Sequence, residues 1–551
     1  MPEQSDDIVT TGSAGWTWAA KAVALVVALI VLLPVATVVA LSFIPSENIW
    51  SHLTATVLPR YFSNSIGLAL MVGAMAGLTG AVTAWLVTVF EFPMRRIFEW
   101  ALFMPLAVPA YIGAYALVDF FEYAGPFQTL LRSLVGWNNA TQYFFPEIRS
   151  FGGATLVLTA ATYPYVYLLA RIAFREQSMI VQDVAGTLGS GPLNRFLRVG
   201  LPMIRPSLAV GIALVMMETV SDFGVVEYFA VQTLSTGIFS IWLETRNIGG
   251  AAQLALAVLA LMLVLVFLER RNRSRMRFAA ARRPESAAKR KPLSAIGGTM
   301  AFLACAVPFS LGFALPVGVI IPHAIAATPH WTTDKLLDAL SNTLLTGGSA
   351  AFLTLSAAVV LTYSARISSS RALRRLAPVT TIGYAVPGAV LGLGLLIPVA
   401  FLDNALADLS LRITGVDPGL FLSGTAAIII LALSIRFFAI AHGAADTAMG
   451  RVPSSLRATA HSLGSSPGGA FFRVYLPLIK GSLLTALLLV FVDCVKELPA
   501  TLLLRPFNFN TLATQVYEHA SLEDISAASP AALLVTLVGI CGVLLLARTN
   551  R

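Results

Sequence analysis

Four carboxylates interrupt the apolar stretches of this 551-residue chain in two matched pairs. Glu218 and Asp222 form the first pair, Asp493 and Glu497 the second, and each residue lies 275 positions from its counterpart. Within a pair the spacing is i, i+4, which on a helix puts both side chains on one face. An ionisable group inside a membrane-spanning helix is costly and marks a functional candidate by default. Brought together, these four acids would offer hard oxygen ligands to a multivalent cation. The same acids also suit structural roles, as ion pairs with Lys496, Arg505 or a loop arginine, or as helix ends near water. Both alternatives stay open on the sequence alone.

Little else in the chain has catalytic spacing. The histidines are His52, His323, His330, His442, His461 and His519. His323 and His330 fall close together in one expected loop, but two imidazoles without a third ligand do not define a metal centre. Cys305, Cys494 and Cys541 are scattered through apolar segments and are expected to pack as small apolar residues. No Gly-x-x-x-x-Gly-Lys-Ser/Thr sequence occurs, so the chain lacks the backbone cradle and lysine that hold nucleotide phosphates. No cofactor, firmly assigned metal site or enzymatic activity is expected of this chain.

The elements that carry the acids are membrane helices. The chain is 57% hydrophobic and 12% charged, with a mean hydropathy of +0.79. Soluble domains hold roughly 25% charged residues, so this chain has too few charges for a water-facing surface of its size. Apolar runs approach the roughly 20 residues needed to cross a bilayer. Spans are expected at about 20–44, 65–90, 99–119, 153–171, 205–225 and 249–268. A second set is expected at 295–322, 343–363, 377–402, 421–440, 481–503 and 531–547. The fold class is therefore all-α: a polytopic helical membrane protein of about twelve spans, six per half. The first span is long for a secretory h-region and is expected to be a mature helix.

The halves are tandem copies. Asp183 to Leu208, DVAGTLGSGPLNRFLRVGLPMIRPSL, is repeated from Ala458 to Leu483 as ATAHSLGSSPGGAFFRVYLPLIKGSL, with about half of the positions identical and no gap. Weaker echoes occur at offset 278: Ser63-Asn64-Ser65 with Ser341-Asn342-Thr343, and Ala107-Val108-Pro109-Ala110 with Ala385-Val386-Pro387-Gly388. An even number of spans per copy implies parallel repeats about a pseudo-two-fold axis along the membrane normal, with a solute path between them. The division is a tail, 1–19; a first transmembrane domain, 20–268; a basic linker, 269–293; and a second transmembrane domain, 294–551. Arg270 to Lys291 holds ten basic residues and one acid, Glu285. The positive-inside rule puts this linker in the cytoplasm, and counting helices puts both repeated segments and both termini there too. The net charge of +9 is thus topological and lipid-facing, and no nucleic-acid partner is expected.

The repeated segment reads as helix, turn, helix. Gly189 and Gly464 are placed to take the left-handed conformation that ends a helix. Pro192 and Pro467 suit the first turn of the next helix, behind Gly191 or Ser466 as N-cap. That helix is expected to stop at Leu201-Pro202 and Leu476-Pro477, before the following span. A polar hairpin present twice on one face suits a two-fold partner.

Asp183-x-Ala185-x-x-x-Gly189 followed by Val199-x-Leu201-Pro202, and Ala460-x-x-x-Gly464 followed by Val474-x-Leu476-Pro477, resemble the EAA loops of ATP-binding-cassette importer permeases. The copies differ at the acidic first position, Asp183 against Ala458, so the two contacts need not be equivalent. Ser221 to Phe229 and Lys496 to Pro506 further resemble segments of the fused, double-length permeases of ferric-iron importers. The resemblance covers essentially the whole chain. It implies the type I importer permease fold and coupling through Asp183, Ala185, Gly189, Leu201, Pro202, Ala460, Gly464, Leu476 and Pro477. It also implies two cytoplasmic ATPase subunits that carry the ATP and Mg, a periplasmic solute-binding protein, and residence in a bacterial inner membrane. Related fused permeases carry thiamine or phosphonates. An ion-gradient-driven secondary transporter is the alternative of a different class, but the short loop Glu91–Ile97 shows no Gly-Asp-Arg pattern.

Overall fold

The computed structural model describes residues 14–44, 50–176, 184, 187, 189–279, 290–367, 380, 383, 386–417 and 419–549. Among them, ten helices are long and apolar enough to cross a membrane, and two sharply bent helix pairs bring the number to twelve. Six belong to each half. The first half has Ala22–Ser42, Leu58–Val89, the bent pair Arg95–Ala107 with Ala110–Val135, then Phe151–Arg175, Pro192–Ser221 and Ile248–Asn272. The second has Ala295–Ala326, Asp334–Arg366, Gly388–Thr414, the bent pair Ala426–Arg436 with Phe438–Gly450, then Pro467–Lys496 and Ile525–Leu545. The only strands among the described residues are Phe90–Glu91 and Lys291–Pro292, which pair in parallel and tie the end of the linker to the loop after the second span.

The weak repeats mark places where the backbone needs a side chain or a break. Asn64 Nδ2 donates to the Gln232 carbonyl at 2.8 Å, and Asn342 Nδ2 to the Asn510 carbonyl at 3.0 Å. The Ser65 and Thr343 hydroxyls accept from the Leu234 and Leu512 amides at 2.9 and 2.8 Å. These bonds satisfy the first amides of Leu234–Leu243 and Leu512–Ser521, which no helical carbonyl can reach. Val-Pro at 108–109 and 386–387 sets an extended residue before a helix start, because proline drives its predecessor out of the helical region. Pro109 (ψ 141°) and Pro387 (ψ 150°) are the residues from which Ala110–Phe121 and Gly388–Thr414 begin.

Two expectations are corrected at the third spans. In the first half the chain turns by 99° at this break, so the expected span 99–119 is two segments rather than one rod. In the second half the helix starts at Gly388 and runs to Thr414, past the expected end at 402. The expected outer loop from Asp403 is therefore helix at first. Asp403 is fully buried there and accepts from the Leu422 and Ser423 amides.

The halves interlock. Ala14–Ser42 packs against Gly388–Thr414 and Asp334–Ile367 of the second half, and Leu315–Ala326 packs against Ala110–Phe121 of the first. The crossing is close: a Cβ on Gly394 would collide with the Pro34 backbone, and one on Gly312 with Pro105 and the Ala160 carbonyl. A buried apolar cluster runs across the junction, with Val31 and Val38 against Val390, Leu391 and Leu433. With no water to displace between helices in lipid, small residues permit this approach and dispersion holds it.

Candidate functional site

The four acids converge on one cavity. It measures about 210 Å³ and lies between the halves, lined by Glu218, Asp222, Asp493 and Glu497 together with Tyr111, Arg436 and Lys496. Glu218 and Asp493 stand on the paired helices Leu201–Ser221 and Leu476–Lys496. Asp222 and Glu497 are the residues at which those helices end. Each then accepts from the amides of the short helix that follows. Asp222 Oδ1 accepts from the Val225 and Val226 amides at 2.9 and 3.2 Å. Glu497 accepts from the Ala500 and Thr501 amides at 2.9 and 3.0 Å and from the Thr501 hydroxyl at 2.9 Å. A carboxylate at a helix N-terminus satisfies its free amides and meets the positive end of its dipole.

Glu497 also has a cation. Arg436 Nη1 lies 3.2 Å from its Oε1, and the carboxylate is only 1% exposed. Sequence reasoning missed this partner: Arg436 is 61 residues away, at the break between Ala426–Arg436 and Phe438–Gly450. Of the cations it named, Lys496 interacts electrostatically with Asp493 and also reaches the other half, whereas Arg505 is used elsewhere. Lys496 Nζ donates to the Leu106 carbonyl of the first half at 2.6 Å. Arg505 pairs with Glu518 at 2.6 Å and bonds Asn510. Gly388 completes the arrangement, because a Cβ there would strike the Arg436 guanidinium and the Glu497 carboxylate. Among the described residues no group of three or more His, Cys, Asp or Glu side chains is disposed to hold a metal ion. The acids share a cavity without forming a cage.

The repeated segments share one design at the glycine turn and at the helix start that follows it. Gly189 and Gly464 adopt φ of +79° and +78°, a conformation that costs any residue with a Cβ roughly 1–2 kcal/mol. In the second copy Ser454–Ser462 precedes Gly464, the Ser465 amide donates back to the Ala460 carbonyl at 2.9 Å, and Ala460 is buried. Ser466 caps the next helix through the Gly469 amide at 3.1 Å, with Pro467 in the first turn. Gly191 and Pro192 occupy the same places in the first copy. Asp183 and Ala185 lie outside the described residues.

The helices after these caps do not stop at Leu201-Pro202 and Leu476-Pro477 as expected. They continue into the spans through five-residue π turns, Phe196–Gly200 and Phe471–Tyr475. The Leu201 amide reaches the Phe196 carbonyl and the Leu476 amide the Phe471 carbonyl. Proline lacks an amide donor and crowds the carbonyl of the preceding turn. A π turn re-registers the ladder just ahead of it. Each hairpin is thus continuous with the helix that carries Glu218 or Asp493.

Residues 324–551 match the family of binding-protein-dependent transport system inner membrane components. Across 86% of this chain and 87% of the relative, the sequence is 25% identical to an Fe(3+)-transport system permease protein of Haemophilus influenzae. It is 28% identical to a probable sulfate transport system permease protein of Nephroselmis olivacea over 38% of the chain and 70% of the relative. It is 25% identical to the molybdenum transport system permease protein of Escherichia coli over 34% of the chain and 83% of the relative. The chain carries the domain of the binding-protein-dependent transport permeases in its second half and is similar to one such permease over most of its length. It is an importer permease of the ATP-binding-cassette class, an all-α polytopic membrane protein.

Two further features of this permease escaped the sequence. One is an aromatic clasp on each hairpin. Trp85 lies 5.6 Å from Phe196 and 5.2 Å from Phe174, centre to centre, and Tyr363 lies 4.8 Å from Phe471 and 5.4 Å from Tyr475. Trp85 and Tyr363 sit on the second span of their halves, 278 residues apart, so the π turn of each hairpin grips a membrane helix. The other is a set of contacts between the halves on the face opposite the hairpins. Arg149 bridges Glu122 at 3.0 Å and Glu523 at 2.7 Å, with its guanidinium over the Tyr228 ring. His323, expected in a loop, is helical and faces Asp119 across the halves at 3.3 Å.

Proposed function

We propose that the permease translocates ferric iron, delivered by a periplasmic binding protein, through the cavity between its halves. Two cytoplasmic ATPase subunits, which carry the ATP and Mg, seat on the two hairpins and drive the change of state. The supporting observation is coverage. The match to the Fe(3+)-transport permease runs through both halves, whereas the sulfate and molybdenum permeases each align over little more than a third of the chain.

In this reading the hairpins are the sockets. They present apolar side chains on an otherwise polar element: Leu193 is 69% exposed, Leu463 79% and Phe472 65%. Exposed apolar groups of this kind mark contact sites. Motion of a docked ATPase passes through the π turn into the helix bearing Glu218 or Asp493, and through the aromatic clasp into the second span. ATP shifts the equilibrium between outward- and inward-open states only by binding one of them better. The tail 1–19, the linker 269–293 and both termini lie in the cytoplasm of a bacterial cell. The domains 20–268 and 294–551 form the two walls of the path.

The test is ATP-dependent uptake of radiolabelled ferric iron by cells lacking this chain, with and without its restoration, in the presence of excess sulfate, molybdate, thiamine or a phosphonate. Uptake restored by the chain and resistant to these competitors is the expected result. Iron uptake that ignores the chain, or that one competitor abolishes, refutes ferric iron as the solute. Uptake that persists on an ion gradient with ATP depleted refutes the ATP-driven mechanism.

A further inference from the structure

The charges in the cavity are unevenly placed. Duplication pairs Glu218 with Asp493, Asp222 with Glu497, Ser221 with Lys496 and Ala161 with Arg436, each at offset 275, and all eight residues line the cavity. The first half contributes two acids and no cation. The second contributes two acids and two cations. Glu497 is engaged by two amides and one hydroxyl of the turn that follows it and by Arg436, and Asp222 by two amides. Lys496 reaches across to the Leu106 carbonyl, a neutral acceptor that a passing anionic oxygen can replace with a stronger, charge-assisted bond. Tyr111 also lines the cavity, is 5% exposed, and its hydroxyl has no hydrogen-bond partner among the described residues.

These features are wrong for a bare ferric ion. A bare trivalent cation passing here would be drawn to four carboxylates, but two of them are already held by donors of the fold and two fixed cations stand among them. No cage of acids among the described residues replaces its ligands. They are equally wrong for a simple oxyanion, which would face four carboxylates. They suit a solute that presents both signs.

We infer that iron crosses this permease as a complex still carrying anionic oxygen ligands, with the metal toward Glu218 and Asp493 and the ligand oxygens toward Lys496 and Arg436. This inference rests on the ferric reading above and adds the chemical form of the cargo. Lys496 is then a specificity-determining residue: it selects for the ligand oxygens rather than for the metal.

The experiment uses the complete transporter, permease with ATPase and binding protein, in proteoliposomes supplied with doubly labelled ferric citrate, ferric pyrophosphate or ferric nitrilotriacetate. Entry of iron and ligand label in a fixed ratio with at least one of the three supports the inference. Lys496→Gln should then lower entry of both labels by about tenfold, the value of one charge-assisted contact. Iron entering without ligand label from all three complexes overturns the inference and leaves the ferric reading standing. Equal uptake by wild type and Lys496→Gln overturns it too. No ATP-dependent iron entry in any form, with entry of thiamine or a phosphonate instead, overturns both.

Discussion

The two halves of this permease solve the same packing problem with different chemistry. At the turn after the paired helices, the first half has Asp222 in a cavity whose lining includes Ala110 and Ala161, and the second has Glu497 against Gly388 and Arg436. Removing one methyl at Gly388 makes room for a guanidinium that a Cβ there would strike. A second exchange occurs at the hairpins. Trp85 packs on Gly200 in the first half, where a Cβ would come within 2.8 Å of the indole, while Tyr363 packs on Tyr475 in the second. In each case one half sets its large group against a glycine, and the other half carries a side chain at that place. The backbone path is retained across the duplication, while side-chain volume and charge diverge together. The membrane enforces this order: overpacking and unsatisfied backbone groups are penalised in both halves alike, whereas one ionic arrangement can be exchanged for another if its partners change together.

The largest test of that contrast is removal of Arg436. Arg436→Ala strands Glu497, a buried carboxylate with 1% exposure, and breaking a buried pair from one side costs about 3–5 kcal/mol. A marked fall in the unfolding temperature of the detergent-purified protein is expected. Arg436→Ala combined with Glu497→Gln should recover most of the loss, because the uncompensated charge has gone. The first half supplies the control. Ala161→Arg should destabilise unless joined to Ala110→Gly, which recreates the room found in the second half. If Arg436→Ala is as stable as wild type, the ion pair is not what distinguishes the two walls.

A smaller effect is expected at the hairpin glycines. Gly189→Val and Gly464→Val each place a β-branched residue at positive φ, at a cost of about 1–3 kcal/mol. The strain is local and nearly equal in the two copies. The expected outcome is protein that still reaches the membrane but loses ATP-coupled uptake and retention of the ATPase in pull-downs. Because the first copy begins with Asp183 and the second with Ala458, the comparison is sharpest when each variant is measured alone. A deeper loss from Gly189→Val would assign the stronger coupling to the acidic copy. Unchanged uptake in both would remove the hairpins from the coupling path.

Much of this was legible in the residues. The duplication, the paired acids, the left-handed glycines and the proline starts are local or periodic signals, and backbone chemistry leaves few alternatives for them. What sequence missed depends on contacts across the fold. Arg436 reads as the end of an apolar segment until the break at Phe437 turns it toward Glu497. Lys496 is coupled to the neighbouring Asp493, as its position suggests, but nothing local shows that its ammonium also crosses to a carbonyl 390 residues away. Pro202 and Pro477 read as helix stops, because a π turn leaves no compositional mark. Asp403 looks like a loop residue by its polarity, and only the returning chain at Leu422 and Ser423 shows why it is buried.

The smallest predicted difference between the halves is also the cleanest, because it changes a cap without touching the cavity. Ser466 accepts from the Gly469 amide, while Gly191 at the same place has no side chain to offer. Ser466→Ala should cost about 1 kcal/mol, the usual loss of a serine cap, whereas Ser466→Gly should cost only a few tenths, because an uncapped glycine leaves its amides open to water. The converse substitution, Gly191→Ser, should stabilise the first hairpin by a few tenths of a kcal/mol. Hydrogen exchange of the amides around 193–195 and 468–470 resolves changes of this size as altered protection without requiring global unfolding. Protection that rises in the first copy on Gly191→Ser and falls in the second on Ser466→Ala shows two hairpins of one geometry differing only in how firmly they are capped. Protection that moves in neither copy would mean that the clasp on Trp85 or Tyr363, rather than the cap, holds the hairpin closed.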